Sequence, residues 1–157
     1  MMDSIAVRID AVRERMARAA RRTGRSPEEV RLVGVTKTHP PEIIAQALAA
    51  GLTDFGENRV QEAEAKIAAL AAERERITWH LIGHLQRNKA KKAAALFDIV
   101  HSLDSLRLGE TLNRSIAERE KGGTGEREKI FSPALPLSRS PCHPSSASAK
   151  IRTAWRI

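Results

Sequence analysis

One lysine stands where α/β proteins usually place their chemistry. Lys37 ends the run Val30-Arg31-Leu32-Val33-Gly34-Val35-Thr36-Lys37, and Pro40 and Pro41 follow within four residues. Leu32, Val33 and Val35 suit a parallel strand covered on both faces. The prolines cannot extend a ladder, but they suit the first positions of a helix. That helix would run over Glu42–Ala50 and close at Gly51. Lys37 is thereby placed at the carboxyl end of a βα unit. There a lysine held away from water can serve as an amine nucleophile toward a carbonyl. The alternative is a lysine whose stem merely snorkels past the strand end.

Other polar residues fall at similar places. Asn58 follows Gly56-Glu57 at the end of a second apolar stretch, and it could cap the next helix. Glu57 could pair with Arg59 or cap that helix. His80 lies within the apolar run Ile77–Ile82 and reads as a satisfied core histidine, whereas His84 and His101 lie at strand ends. His80 and His84 do not make a convincing zinc pair, because the segment reads as strand to loop without further ligands at suitable spacing. Arg87, Lys89, Lys91 and Lys92 read as a solvated helix face.

The elements that must position these residues follow a simple rhythm. Ile5, Ile9, Val12, Met16 and Ala19-Ala20 recur at helical spacing, with Asp3 or Ser4 able to cap the start. Strands are expected over Leu32–Lys37, Leu52–Phe55, Ile77–Ile82 and Phe97–Ser102. Helices are expected over Glu42–Ala50, Val60–Arg74, Leu85–Leu96 and Leu103–Glu118. A helix followed by four βα units demands parallel strands, since each crossover returns the chain to the same end of the sheet. A closed eight-stranded barrel takes roughly 200 residues or more, so four units make about half of one.

The 157 residues include one cysteine, Cys142, which excludes an internal disulfide framework and fits a reducing, cytoplasmic compartment. No apolar run approaches the roughly 20 residues of a membrane span. The net charge of +8 suggests nucleic acid, but its distribution does not. Residues 1–120 carry 20 Lys/Arg against 17 Asp/Glu, while residues 121–157 carry 7 against 2. The ordered-looking part is nearly balanced and lacks the interleaved aromatics of single-strand binders. From Phe131 onward four prolines and six serines remove any regular period, so 121–157 reads as a basic, disordered tail.

Three motifs then give a resemblance. Val35-Thr36-Lys37-Thr38-His39-Pro40, Phe55-Gly56-Glu57-Asn58-Arg59-Val60-Gln61-Glu62 and Trp79-His80-Leu81-Ile82-Gly83-His84-Leu85-Gln86-Arg87-Asn88-Lys89 occur in this order at βα spacing. With His101-Ser102-Leu103-Asp104-Ser105 as a fourth, residues 5–118 resemble the YggS-type pyridoxal phosphate homeostasis proteins, the proline synthase co-transcribed family. The resemblance implies an α/β fold, a partial (β/α) barrel like the N-terminal barrel of alanine racemase. It implies pyridoxal 5′-phosphate held as a Schiff base on Lys37, with the Asn58 amide donating to the cofactor's ring oxygen. It also implies cofactor and amino-acid homeostasis without an established catalytic turnover. The family's later phosphate cradle has no match in residues 119–157, so the chain reads as a C-terminally truncated member with an unrelated tail. A half barrel has two open sheet edges, which implies weak stability as a monomer or self-association. The rival readings are a racemase-like catalyst, a basic interaction module and a decayed product.

Overall fold

A computed structural model describes residues 4–122 of the chain. The Pro/Ser-rich stretch read as a tail lies, from residue 123 onward, outside the described residues, as do residues 1–3. The described part is an α/β fold built on four short parallel strands. In chain order the elements are α1 (Ile5–Arg22), β1 (Gly34–Val35), α2 (Pro41–Ala49), β2 (Asp54–Glu57), α3 (Val60–Ala69), β3 (Thr78–Leu81), α4 (Ala90–Leu96), β4 (Ile99–Val100) and α5 (Leu106–Gly122). Short 3-10 segments at Pro27–Glu29, Ala71–Arg76 and Arg87–Lys89 join some of them.

The sheet order is β1-β2-β3-β4, every pair parallel and every strand beside its neighbour in sequence. That is the order of a (β/α) barrel followed part of the way round. The register sets Phe55 opposite Trp79, Gly56 opposite His80 and Glu57 opposite Leu81. Since side chains alternate along a strand, Phe55, Glu57, Trp79 and Leu81 face the helices, and Asp54, Gly56 and His80 face the other side.

The helix side holds the core. Phe55 and Trp79 are wholly buried, with ring centroids 6.1 Å apart and tilted by 43°. Around them pack Ile44 and Leu48 of α2, Ala63 and Ile67 of α3, Ala90 and Ala93 of α4, and Leu108 and Leu112 of α5. Alanines on α4 let that short helix approach closely, while Trp79 supplies the bulk that an aromatic-poor chain otherwise lacks. Ser4 caps α1 by accepting from the Val7 amide at 3.4 Å. Arg13 ties α1 to the end of α2 by donating to the Gly51 carbonyl at 2.6 Å. Gly51 itself turns the chain with φ of +81°, a conformation glycine adopts without strain.

Several boundaries differ from the expected ones. The second strand is Asp54–Glu57 rather than Leu52–Phe55, so Gly56 and Glu57 belong to the ladder and not to a turn. The helix expected over Val60–Arg74 ends at Ala69, and Arg74 in the following turns donates to the Ile77 carbonyl and to Asp98 at 2.8 Å. The helix expected from Leu85 starts only at Ala90. At its far end α5 runs to Gly122, past the expected Glu118.

The second-strand shift has a physical cause. Glu57 is fully buried, and so, nearly, is Lys66 of α3. Lys66 Nζ lies 2.7 Å from Glu57 Oε1 and donates to the Thr36 carbonyl at 2.7 Å. Thr36 Oγ1 donates to the same carboxylate oxygen at 2.6 Å. Two buried charges and a threonine hydroxyl thus meet at one carboxylate oxygen beneath the ends of β1 and β2. Removing one member of such a pair strands the other charge in a low-dielectric site. Lys66→Met is therefore expected to lower stability by about 3–5 kcal/mol, and Glu57→Leu combined with Lys66→Met to restore much of the loss. Urea denaturation of the three proteins measures both values.

Candidate functional site

The site grows from the turn that ends β1. The His39 amide donates to the Thr36 carbonyl at 3.0 Å, closing the four-residue turn Thr36-Lys37-Thr38-His39. Thr38 has φ of +65° in the third position, where a type II turn requires a positive value and usually takes glycine. A β-branched residue there is strained by about 1–3 kcal/mol. Pro40 then occupies the cap position of α2 and Pro41 its first turn, as the sequence suggested. Lys37 sits at the corner of this turn with its side chain half-buried. Among the described residues no hydrogen bond or ion pair engages its ammonium group. Lys66, one strand end away and on the helix side, is fully committed by comparison.

Asn58 stands beside Lys37. The pairing of Val35 with Gly56 places the two residues level along the chain, each two positions beyond that last pair, at the carboxyl ends of neighbouring strands. Asn58 does not cap α3: that position belongs to Arg59 and carries no side-chain hydrogen bond. Its backbone is instead gripped by Gly83, where a Cβ would come within 2.2 Å of the Asn58 carbonyl oxygen. Only glycine fits there. Glu57 pairs with Lys66 rather than with Arg59, whose partner is Glu62 at 3.4 Å.

The inner side carries a second network. His80, wholly buried, places Nε2 2.8 Å from Asp54 Oδ1 and Nδ1 2.9 Å from His101 Nε2. Arg31 donates to the same Asp54 oxygen at 3.2 Å, and Thr53 Oγ1 to the other at 3.0 Å. Burial alone would lift the Asp54 carboxyl. The hydrogen bonds from His80 and Thr53, with the charges of Arg31 and His80, outweigh that and hold it below the usual carboxylate value. With Asp54 ionised, His80 donates through Nε2, so its Nδ1 accepts from His101. His80 is the satisfied core histidine expected, and His101 joins it from the end of β4. The signal that could have found this network is the recurrence of a titratable residue at Asp54, His80 and His101, in or just after three successive strands.

The remaining candidates lie outside this cluster. His84 is exposed and 3.3 Å from Asp104. Lys92 reaches Glu64 at 2.6 Å, and Lys91 approaches Glu118 at 3.9 Å, as on a solvated helix face. Ser102 Oγ donates to the Gly83 carbonyl, fastening the ends of β3 and β4. Among the described residues no group of three or more His, Cys, Asp or Glu could hold a metal ion, and no helix is long and apolar enough to cross a membrane.

A singly wound parallel sheet with a lysine at the end of its first strand is the beginning of the alanine racemase N-terminal barrel. That family, "Alanine racemase, N-terminal domain", matches residues 7–124, and the chain belongs to it. More narrowly, it is similar to the pyridoxal phosphate homeostasis protein of Escherichia coli K12, 44% identical over 113 residues that cover 71% of this chain and 48% of the relative. The protein of the same name from Vibrio alginolyticus is 35% identical over 158 residues, covering 89% of this chain and 67% of its own. Among solved structures, PipY of Synechococcus elongatus with PLP bound is 48% identical with a TM-score of 0.58, over 67% of this chain and 49% of PipY. A protein from Bifidobacterium adolescentis, 37% identical, superposes with a TM-score of 0.68 over 74% of this chain and 51% of that one. The chain thus spans about half the length of most of these relatives.

Two outcomes test the geometry. Thr38→Gly is expected to raise stability by about 1 kcal/mol, because relief of the strained turn exceeds the added freedom of the unfolded chain. Thermal melts read the gain. The lowered Asp54 acidity has a definite sign. Its stabilisation is complete above the unfolded value of about 3.9 and is lost as pH falls through the lower folded value. Asp54→Asn should therefore be less stable than the parent at neutral pH, with the gap closing below about pH 4 in urea melts.

Proposed function

We propose that this chain binds pyridoxal 5′-phosphate in a cofactor-homeostasis role, with Lys37 forming the Schiff base and Asn58 beside it. The observation that carries the reading is the contrast between two lysines: Lys66 is spent on Glu57 and Thr36, whereas Lys37 is half-buried at a strand end with no partner among the described residues. PipY, solved with PLP bound, and the relatives named for pyridoxal phosphate homeostasis support it. The residues present fit the group on this side. When bound, the cofactor supplies an aldehyde carbon that a neutral amine can attack. In this reading the amine is that of Lys37 at the end of the first strand, and the Asn58 amide donates to an oxygen of the cofactor; the Asn58 backbone packed against Gly83 supports a fixed position for it. A reducing, cytoplasmic setting goes with this reading and is supported by the single cysteine. Self-association through the open sheet edges belongs to it as well.

A racemase-like reading has one observation in its favour: the Asp54–His80–His101 chain brings an imidazole coupled to a carboxylate to the end of β4. Turnover of an added amino acid, abolished by Lys37→Ala, would select it over simple binding.

One experiment decides the first reading. Pyridoxal 5′-phosphate is added to the purified chain, the Schiff-base absorbance recorded, the adduct trapped with borohydride and the modified lysine mapped by mass spectrometry. The adduct is expected on Lys37 and absent in Lys37→Ala. Asn58→Ala should weaken binding roughly five- to tenfold, the worth of one hydrogen bond. Labelling of Lys66, or scattered labelling of surface lysines, would refute the assignment.

A further inference from the structure

Lys37 lies between two peptide groups, and each is held by its own hydrogen-bond donors. The carbonyl of the first, on Thr36, receives Lys66 Nζ at 2.7 Å and the His39 amide at 3.0 Å. The carbonyl of the second, on Lys37 itself, receives the Thr38 hydroxyl at 2.5 Å. The first peptide sets φ of Lys37 and the second sets its ψ. The donors to Thr36 belong to the buried network under the strand ends. Thr38 is exposed, so water competes for its hydroxyl, and the bond adds little to stability. Its effect is on orientation.

Two turns share the ends fixed by Thr36 and His39, and they differ by a flip of the Lys37–Thr38 peptide. One takes ψ of about +120° at the second residue and a positive φ at the third; the other takes about −30° and about −90°. Thr38, with φ of +65°, is the one non-glycine residue of positive φ among the described residues. Threonine by itself favours the other turn, because at positive φ its Cβ crowds the preceding carbonyl oxygen. That same crowding brings Oγ1 within reach of the Lys37 carbonyl. At a φ of about −90° Cβ swings away from that oxygen and the bond is lost. The hydroxyl therefore stabilises only the arrangement that the branched side chain otherwise opposes.

We propose that Thr38 is a positioning residue for Lys37: its hydroxyl latches the Lys37–Thr38 peptide and so fixes the backbone from which the lysine side chain departs. The rotamers open to a side chain depend on its own φ and ψ. A flip of this peptide changes ψ of Lys37 by about 150° and admits a different set. With the latch closed, the lysine stem draws on one set, and its amine needs no bond of its own to be placed. The inference rests on Lys37 carrying the cofactor, and it adds the residue that holds that amine in place.

The test compares Thr38→Val, Thr38→Ser and Thr38→Gly with the parent, each in the full chain. Proton NOEs report the peptide without any cofactor. The observed turn gives a strong contact from Lys37 Hα to the amide of residue 38, and the flipped turn gives one between the two amides. The parent and Thr38→Ser are expected to show the first, Thr38→Val the second and Thr38→Gly both. Pyridoxal 5′-phosphate is then titrated in and the Lys37 adduct trapped with borohydride. Its affinity is expected to fall about three- to tenfold in Thr38→Val and Thr38→Gly, the worth of one hydrogen bond, and to return in Thr38→Ser. Thr38→Gly separates position from folding, because it is expected to melt higher than the parent yet hold the adduct more weakly. Equal affinity across the series, no recovery in Thr38→Ser, or a flipped turn in the parent would each overturn the proposal. A parent that takes no adduct on Lys37 defeats the cofactor reading and the positioning role with it. A parent labelled on Lys37 and matched by Thr38→Val defeats the positioning role alone.

Discussion

The buried pair of Glu57 and Lys66 is the constraint on which the strand ends depend. It lies where a charge is costly, and each partner is tolerable only because the other is within 2.7 Å. An ion pair of this kind adds little net stability over an apolar pair of the same shape. Its effect is on geometry. Lys66 holds the Thr36 carbonyl and Glu57 holds the Thr36 hydroxyl, so the residue before Lys37 is fixed through both its backbone and its side chain. The Glu57 carbonyl in turn receives the Ile82 amide, which carries the same constraint to the end of β3. Among the described residues the second carboxylate oxygen, Oε2, finds no partner, so Oε1 bears the whole arrangement.

The other face of the sheet is ordered by a different chemistry. There the chain Asp54–His80–His101 crosses three strands with neutral-capable imidazoles instead of a fixed ion pair. The ionised Asp54 sets the His80 tautomer, and His80 sets that of His101. The two networks divide the sheet. Permanent charge lies under the helices, where it locks strand ends. The imidazoles lie on the opposite side of the sheet. Gly83 belongs to the same division: its missing Cβ lets the end of β3 press on the Asn58 backbone, drawing the second and third strand ends together at the mouth.

What could be read from the sequence follows this split. The βα rhythm, the helix started by Pro40 and Pro41 and the strand-end position of Lys37 are all written in local pattern, and all appear in the fold. Asp54–Glu57 was not legible as a strand, because its polar ends look like turn residues until Lys66, Arg31 and His80 are known to answer them. Those partners lie 9, 23 and 26 residues away in sequence. Lys66 itself sits on the apolar stripe of α3 beside Ala63 and Ile67. A lysine inside such a stripe is the one local hint that a buried carboxylate waits for it. Asn58 has cap chemistry in its residue type, but the chain needs its backbone against Gly83, and a three-dimensional clash overrides a one-dimensional preference. The strained Thr38 was invisible for the same reason, since threonine is a poor choice for a positive φ on propensity alone.

The strain at Thr38 explains how Lys37 can be both placed and uncommitted. A lysine amine fixed by hydrogen bonds or a carboxylate is charged and occupied, which is the state of Lys66. For the proposed role of Lys37, the amine must be positioned by something other than its own nitrogen. Here the backbone does it. The Thr36 carbonyl is pinned from below, the Pro40-Pro41 start of α2 limits the chain from above, and the only path between them forces Thr38 into the left-handed region. Lys37 is carried on the corner of that turn, so its stem direction is set by backbone geometry while its nitrogen makes no bond to another described residue. The turn's strain of about 1–3 kcal/mol is sustained by the ion pair and the prolines on either side of it. A relaxed turn would keep the fold and loosen the corner that carries Lys37.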